Sequence, residues 1–169
     1  MAARILIVAY GNPLRCDDAV AWHAADALEG KFPESEVEIL RLHQLAPEVA
    51  DSVRERELVL FVDAACVDDI KNSCPGDIRV CEVSSAEIRE RAGHFSHVHS
   101  PAKVLRFAQE LYDQTPKAFV ITVAGENFGH GESLSVPATS ALPELVTSIQ
   151  RLIEDVRTKA PTTKVHEGL

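Results

Sequence analysis

The chain has 169 residues, 46% hydrophobic and 25% charged, the size and composition of one globular domain with a sizeable core. Its formal net charge of −9 excludes nucleic-acid or anionic-membrane binding through a basic surface. Only Arg4 is basic ahead of the first apolar run, which is too short to span a bilayer, so a cytoplasmic protein without a secretory signal is expected.

That run, Arg4 to Tyr10, is rich in Ile, Leu and Val and reads as a buried strand. Gly11 and Asn12 follow, residue types that tolerate positive φ and allow a sharp bend. Next come Asp17 and Asp18, and then a helical pattern from Ala19 to Leu28. Strand, tight turn, acidic pair and helix in that order place both aspartates at the carboxyl edge of an open α/β sheet, where ligands bind. Asp17 suits an N-cap and Asp18 suits the positive end of the helix dipole. The same pair equally suits a functional site. Only Gly11 stands where a dinucleotide fingerprint needs three glycines. Two carboxylates at a helix start repel phosphate, so the site fits a cation.

Further along, Val37 to His43 alternates as a strand, and Pro47 fits the first turn of a short helix. Leu58 to Asp63 is a continuous apolar run ending in a carboxylate, as in a central parallel strand. Ile78 to Val83 alternates and reads as an edge strand. A loop from Gly93 to Ser100 carries His94, His97 and His99 and leads into a helix over Pro101 to Tyr112. Lys117 to Val123 is a fifth strand. Ala124 to Pro137 is loop-like, and an amphipathic helix spans Thr139 to Arg157. The pattern predicts an α/β three-layer sandwich: a mostly parallel five-stranded sheet with helices on both faces. It also predicts one domain over residues 1–158 and a flexible C-terminal tail over 159–169. None of Cys16, Cys66, Cys74 and Cys81 forms a C-x-x-C pair, so a structural zinc site has little support. Cys16 could touch a metal or simply pack.

Asp63 ends its strand as the acidic pair follows another, so both belong at one sheet edge. His97 and His99 lie on the same side. Two carboxylates and one imidazole make a three-ligand site with open positions, suited to nickel or zinc rather than calcium. Each residue also has a plainer role: Asp63 could cap a turn, and His97 and His99 could be surface residues. His43 is a weaker ligand candidate. His23, His130 and His166 do not converge with the carboxylates.

Taken together, Gly11-Asn12-Pro13-Leu14-Arg15-Cys16-Asp17-Asp18 resembles the signature of the endopeptidases that mature nickel-iron hydrogenases: Gly-Asn, four residues, then Asp followed by Asp or Glu. His43 to Glu48 is similar to a segment of one branch of that family. Phe61-Val62-Asp63-Ala64 resembles the strand carrying a metal-binding Asp, Phe95 to Pro101 the loop carrying a metal-binding His, and Gly131-Glu132-Ser133-Leu134-Ser135 a late Gly-Glu-x-Leu-Ser motif. The resemblance spans roughly residues 4–155. It implies that Asp18, Asp63 and His97 are the catalytic metal ligands, with His99 as the fallback. Asp17 is then a helix cap or a supporting group. It further implies an endopeptidase that removes the C-terminal extension of the nickel-iron hydrogenase large-subunit precursor after nickel insertion. The nickel comes with that substrate, and no tightly bound metal of the chain's own is expected. Cys16, Ala19 and Ala21 stand where many relatives have glycine. A second reading therefore stands beside the first: a metal-sensing accessory protein that binds the precursor without cutting it. A zinc exopeptidase on a similar sheet is a more distant third.

Overall fold

Stretches of strand-forming and helix-forming sequence alternate as expected in the computed structural model, which describes residues 3–67, 72–83 and 100–159. Strand β1 (Ile5–Tyr10) stops at Gly11. A 3-10 turn over Cys16–Ala19 leads into α1 (Val20–Leu28). Strand β2 (Val37–Leu42), helix α2 (Val49–Val53) and strand β3 (Leu58–Cys66) follow. Then come β4 (Ile78–Glu82), α3 (Pro101–Tyr112), β5 (Lys117–Gly125) and α4 (Val136–Lys159). No helix among the described residues is long and apolar enough to cross a membrane.

The strands form one sheet in the order β2-β1-β3-β5-β4. β1 pairs parallel with β2 and β3, and β3 parallel with β5. β4 runs antiparallel to β5 at the edge, as expected, but its alternating sequence gives no buried face: Ile78 is half-buried and Arg79 to Glu82 are exposed. The unbroken apolar runs of β1 and β3 lie in the centre because both their faces are covered. On one face Ile5, Ile7, Leu58, Leu60 and Val62 pack beneath α1 and α4 through Val20, Leu28, Leu145 and Ile149. On the other, Leu6, Val8, Val59 and Phe61 pack beneath α2 and α3 through Val49, Val53, Val104 and Leu105. Each such fully buried side chain contributes about 1.5–3 kcal/mol over leaving it in water. The result is the expected three-layer α/β sandwich.

Helix α3 starts where local chemistry says it should. Ser100 Oγ accepts from the Lys103 N–H at 3.3 Å, Pro101 occupies the first turn, and Asp113 ends the helix at φ 53°. Helix α4 begins three residues before the expected Thr139, because Ser135 Oγ accepts from the Ala138 N–H at 3.3 Å and Pro137 fits the first turn. It runs to Lys159, the first residue of the expected tail; residues 160–169 lie outside the described set. Strand β3 likewise passes Asp63 and continues to Cys66. Ala64, Ala65 and Cys66 are weak strand formers alone, but they pair with Val123, Ala124 and Gly125 of a similarly extended β5.

β2 lies on one side of β1 and β3 on the other, and α1 and α2 cover opposite faces. The strand order therefore reverses between β1 and β3, and the crevice at their carboxyl ends is where ligands bind in open α/β sheets.

Candidate functional site

Gly11 is required twice over: its φ is 139°, and a Cβ there would stand 2.1 Å from the Asp18 carbonyl oxygen. Its N–H donates to the Leu42 carbonyl at 3.0 Å, tying the turn to the end of β2. Asn12 Oδ1 accepts from the Leu14 N–H at 2.9 Å, and the Asn12 N–H donates to Asp18 Oδ2 at 2.8 Å. The turn thus closes on Asp18 and fixes one oxygen of a half-buried carboxylate. No hydrogen bond reaches Asp18 Oδ1 from the described residues.

Asp63 stands across the crevice. Ala9 pairs with Val62, so the next step of the register sets Tyr10 beside Asp63. Asp63 Oδ1 accepts from the Ala64 N–H at 2.8 Å, and the Tyr10 phenol hydrogen-bonds to the same carboxylate. Burial pushes the Asp63 carboxyl up to about 7, and the nearby Asp18 charge adds to the rise; the Ala64 N–H and the Tyr10 hydroxyl oppose it. Burial, and then the Asp63 charge, hold the Tyr10 phenol well above its usual range. Two carboxylates facing one crevice repel each other, and a cation between them would relieve both that repulsion and the cost of burial.

Asp17, next in sequence to Asp18, does something else. Its side chain makes no cap bond at the 3-10 turn or at α1, so of the two roles its position left open, the helix cap is not the one it takes. It is 0% exposed and points into the protein. Oδ2 accepts from the Glu126 and Asn127 N–H groups at 3.0 Å each, and Oδ1 from the Ser135 N–H at 2.7 Å. Because Ser135 caps α4, Asp17 receives the cap residue's own N–H, the part a capping-box Glu plays within one helix. Burial alone would raise the Asp17 carboxyl, but these hydrogen bonds outweigh it and hold the group below its usual value. Gly125 makes room, since a Cβ there would lie 2.9 Å from Asp17 Cβ. The neighbouring backbone joins in: Cys16 N–H donates to Gly131 O at 2.8 Å, Gly131 N–H to Leu14 O at 2.9 Å, and Arg15 Nη2 to Phe128 O at 3.0 Å. The two sequence motifs, 11–18 and 131–135, are thus halves of one clasp.

Asp17→Ala strips the acceptor from three backbone N–H groups, and breaking such a buried charge-assisted cluster costs about 3–5 kcal/mol. Urea denaturation at pH 7 reads this loss. A change below about 0.5 kcal/mol, the usual effect of a surface substitution, would show the clasp to be dispensable.

Cys16 is buried with φ 48°, a left-handed conformation that glycine adopts without strain. Its sulfur packs where a Cβ on Gly131 would come within 3.1 Å, so it is a packing residue at the position where the resembled pattern has glycine. His43 is exposed at the end of β2 and meets Trp22 edge-on at 5.5 Å between ring centroids. His23 and His130 are exposed. His97 and its fallback His99 lie outside the described residues. Among the described residues, no group of three His, Cys, Asp or Glu side chains forms a ready metal site. The structure brings together Asp18 and Asp63. Sequence reasoning missed Tyr10, whose polar role has no signal until its strand neighbour is known.

No protein-family model matches the chain, and no curated protein sequence does. Solved structures do. The hydrogenase maturating endopeptidase HybD from E. coli superposes with a TM-score of 0.72 at 21% identity, covering 90% of this chain and 93% of its own. The NiFe hydrogenase maturation protease HycI from Thermococcus kodakarensis KOD1 gives 0.67 at 20% identity, over 90% and 93%. HybD from Thermococcus kodakarensis gives 0.63 at 19% identity, over 89% and 99%. The chain shares the α/β fold of these proteases over almost their whole length.

Proposed function

We propose that the chain is an endopeptidase that removes the C-terminal extension of a nickel-iron hydrogenase large-subunit precursor once nickel has been inserted. One observation carries the reading. In a fold shared with hydrogenase maturation proteases, Asp18 and Asp63 meet at the β1/β3 crevice, close enough for one charge to act on the other. Asp18, Asp63 and His97 are the proposed ligands, with His99 held in reserve. The nickel is part of the substrate. Bound there, it would polarise the neighbouring peptide carbonyl or activate a water molecule. The chain's own carboxylates place the substrate. Asp18 is held by the turn that begins at Gly11, and Asp63 by its strand, so the scissile bond enters a prepared geometry. Cys16, Cys74 and Cys81 are free thiols, which suits the proposed cytoplasmic setting.

The test is to incubate purified precursor with the chain, with and without nickel, and weigh the products. A product shortened by the extension only when nickel is present supports the proposal. A stable complex with an uncut precursor would identify the accessory protein instead. Progressive trimming by a chain that keeps stoichiometric zinc would identify the exopeptidase.

The choice of histidine is tested in the same assay. His97→Ala reduces cleavage to background, whereas His99→Ala keeps most of it, because His97, counted back from Val104-Leu105, matches the ligand position of the resembled family. Loss in His99→Ala alone would transfer the ligand role to His99. Cleavage surviving in both would remove the loop from the ligand set.

A further inference from the structure

We infer that Tyr10 is a positioning residue for Asp63: from the end of β1 it fixes the carboxylate so that its remaining lone pairs meet the substrate's nickel across the β1/β3 crevice. This rests on the ligand role proposed for Asp63.

The argument begins with register. Val8 pairs with Phe61 and Ala9 with Val62, so Tyr10 comes beside Asp63 on the sheet face that carries Val8 and Phe61. The Tyr10 ring packs against the core of that face, which fixes its direction. Residues 5–9 of β1 are wholly apolar, so Tyr10 alone brings a polar side chain to the strand. Phe would fill the same space without a hydroxyl to desolvate. A hydroxyl at a half-buried position costs free energy unless it has a partner, and here the partner is the Asp63 carboxylate.

The consequence for Asp63 follows from donor counting. A carboxylate has about four lone-pair sites. The Ala64 N–H takes one at 2.8 Å, and the Tyr10 phenol, set beside Asp63 by the register, lies against the same carboxylate. The two donors come from different strands, one on each side of the crevice floor. Together they hold the side chain at the crevice that Asp18 also lines. The site is therefore arranged before nickel arrives, and this order suits a metal that comes with the substrate. Partners that orient a metal ligand in this way change metal affinity about 10- to 100-fold when removed.

The test titrates nickel(II) alone into the full chain, following the paramagnetic broadening of backbone amides at residues 11–18 and 63–64. Tyr10→Phe keeps the ring and is expected to fold. It should raise the nickel concentration at half-effect about 10- to 100-fold, with amides far from the crevice unchanged. With nickel-loaded precursor, the same variant should raise KM more than it lowers kcat. Asp63→Asn is the reference and should lose the response at 63–64 altogether. If Asp63→Asn loses it while Tyr10→Phe titrates like the wild type, Tyr10 does not position Asp63, and the ligand reading survives. If Asp63→Asn titrates like the wild type, the ligand reading itself fails, and the inference with it. A Tyr10→Phe variant with a lowered Tm but an unchanged titration would show a merely structural tyrosine and overturn the inference.

Discussion

Asp18→Asn and Asp63→Asn each abolish precursor processing while leaving the sheet intact. An amide is a poor metal ligand and carries no charge to balance a cation. Metal-based stabilisation of the transition state is worth several kcal/mol, and each 1.36 kcal/mol is a factor of ten in rate. Either substitution should therefore slow cleavage by at least about a thousandfold. The fold should survive for different reasons at the two positions. At Asp18 the Asn12 N–H can still donate to the amide oxygen, as it does now to Oδ2 at 2.8 Å. At Asp63 the change removes a charge that burial already disfavours. Mass spectrometry of the precursor gives the rate, and far-ultraviolet circular dichroism checks the fold. Wild-type cleavage in either variant would remove that residue from the ligand set.

The second large effect is on stability and appears in the metal-free protein as a pH dependence. The folded chain holds the Asp63 proton up to about 7, whereas the ordinary value is near 3.8. Between these values the folded state binds more protons than the unfolded state, so raising the pH favours unfolding. The penalty is absent below the ordinary value, grows through the window and is constant above about 7. Its full size is on the order of 4 kcal/mol, at 1.36 kcal/mol per pH unit. Asp63→Asn carries no titrating group and lacks the penalty. The urea midpoint of the variant should therefore gain on the wild type steadily from pH 4 to pH 7 and then keep its lead. Asp17 acts with the opposite sign. Its lowered value gives stability that is present above the usual carboxylate range and lost on acidification through the folded value. That loss falls at lower pH than the Asp63 window, so the two effects separate along the pH axis. Parallel pH profiles for the wild type and Asp63→Asn would show that Asp63 is not held protonated by its surroundings.

Much of this protein is legible in its sequence because the signals are local. β1 and β3 read as buried strands from unbroken Ile, Leu and Val, and α3 reads from Ser100, Pro101 and its apolar spacing. Gly11 and Asn12 mark the bend, since their residue types permit a conformation that others resist. The α/β class follows from the alternation of these elements. That Asp18 and Asp63 could meet is legible only as a condition, since both follow apolar strands but nothing local makes those strands neighbours. Backbone hydrogen bonds pair any two strands alike, and only the packing of α1 with α4 and of α2 with α3 on opposite faces sets β1 against β3. The aspartate pair makes the same point at the scale of one residue. Asp17 and Asp18 are chemically identical neighbours, yet one is sealed against residues 126, 127 and 135 while the other faces the crevice. A 3-10 turn sends consecutive side chains in different directions, and which direction is inward depends on where the distant loop lies. Tyr10 likewise ends an apolar run and becomes a donor to Asp63 only because the register of β1 on β3 brings them side by side. Sequence by itself determines which residues can bend, cap, bury or bind a cation; the tertiary structure alone decides which of them touch, because contacts between distant segments depend on packing that no local pattern encodes.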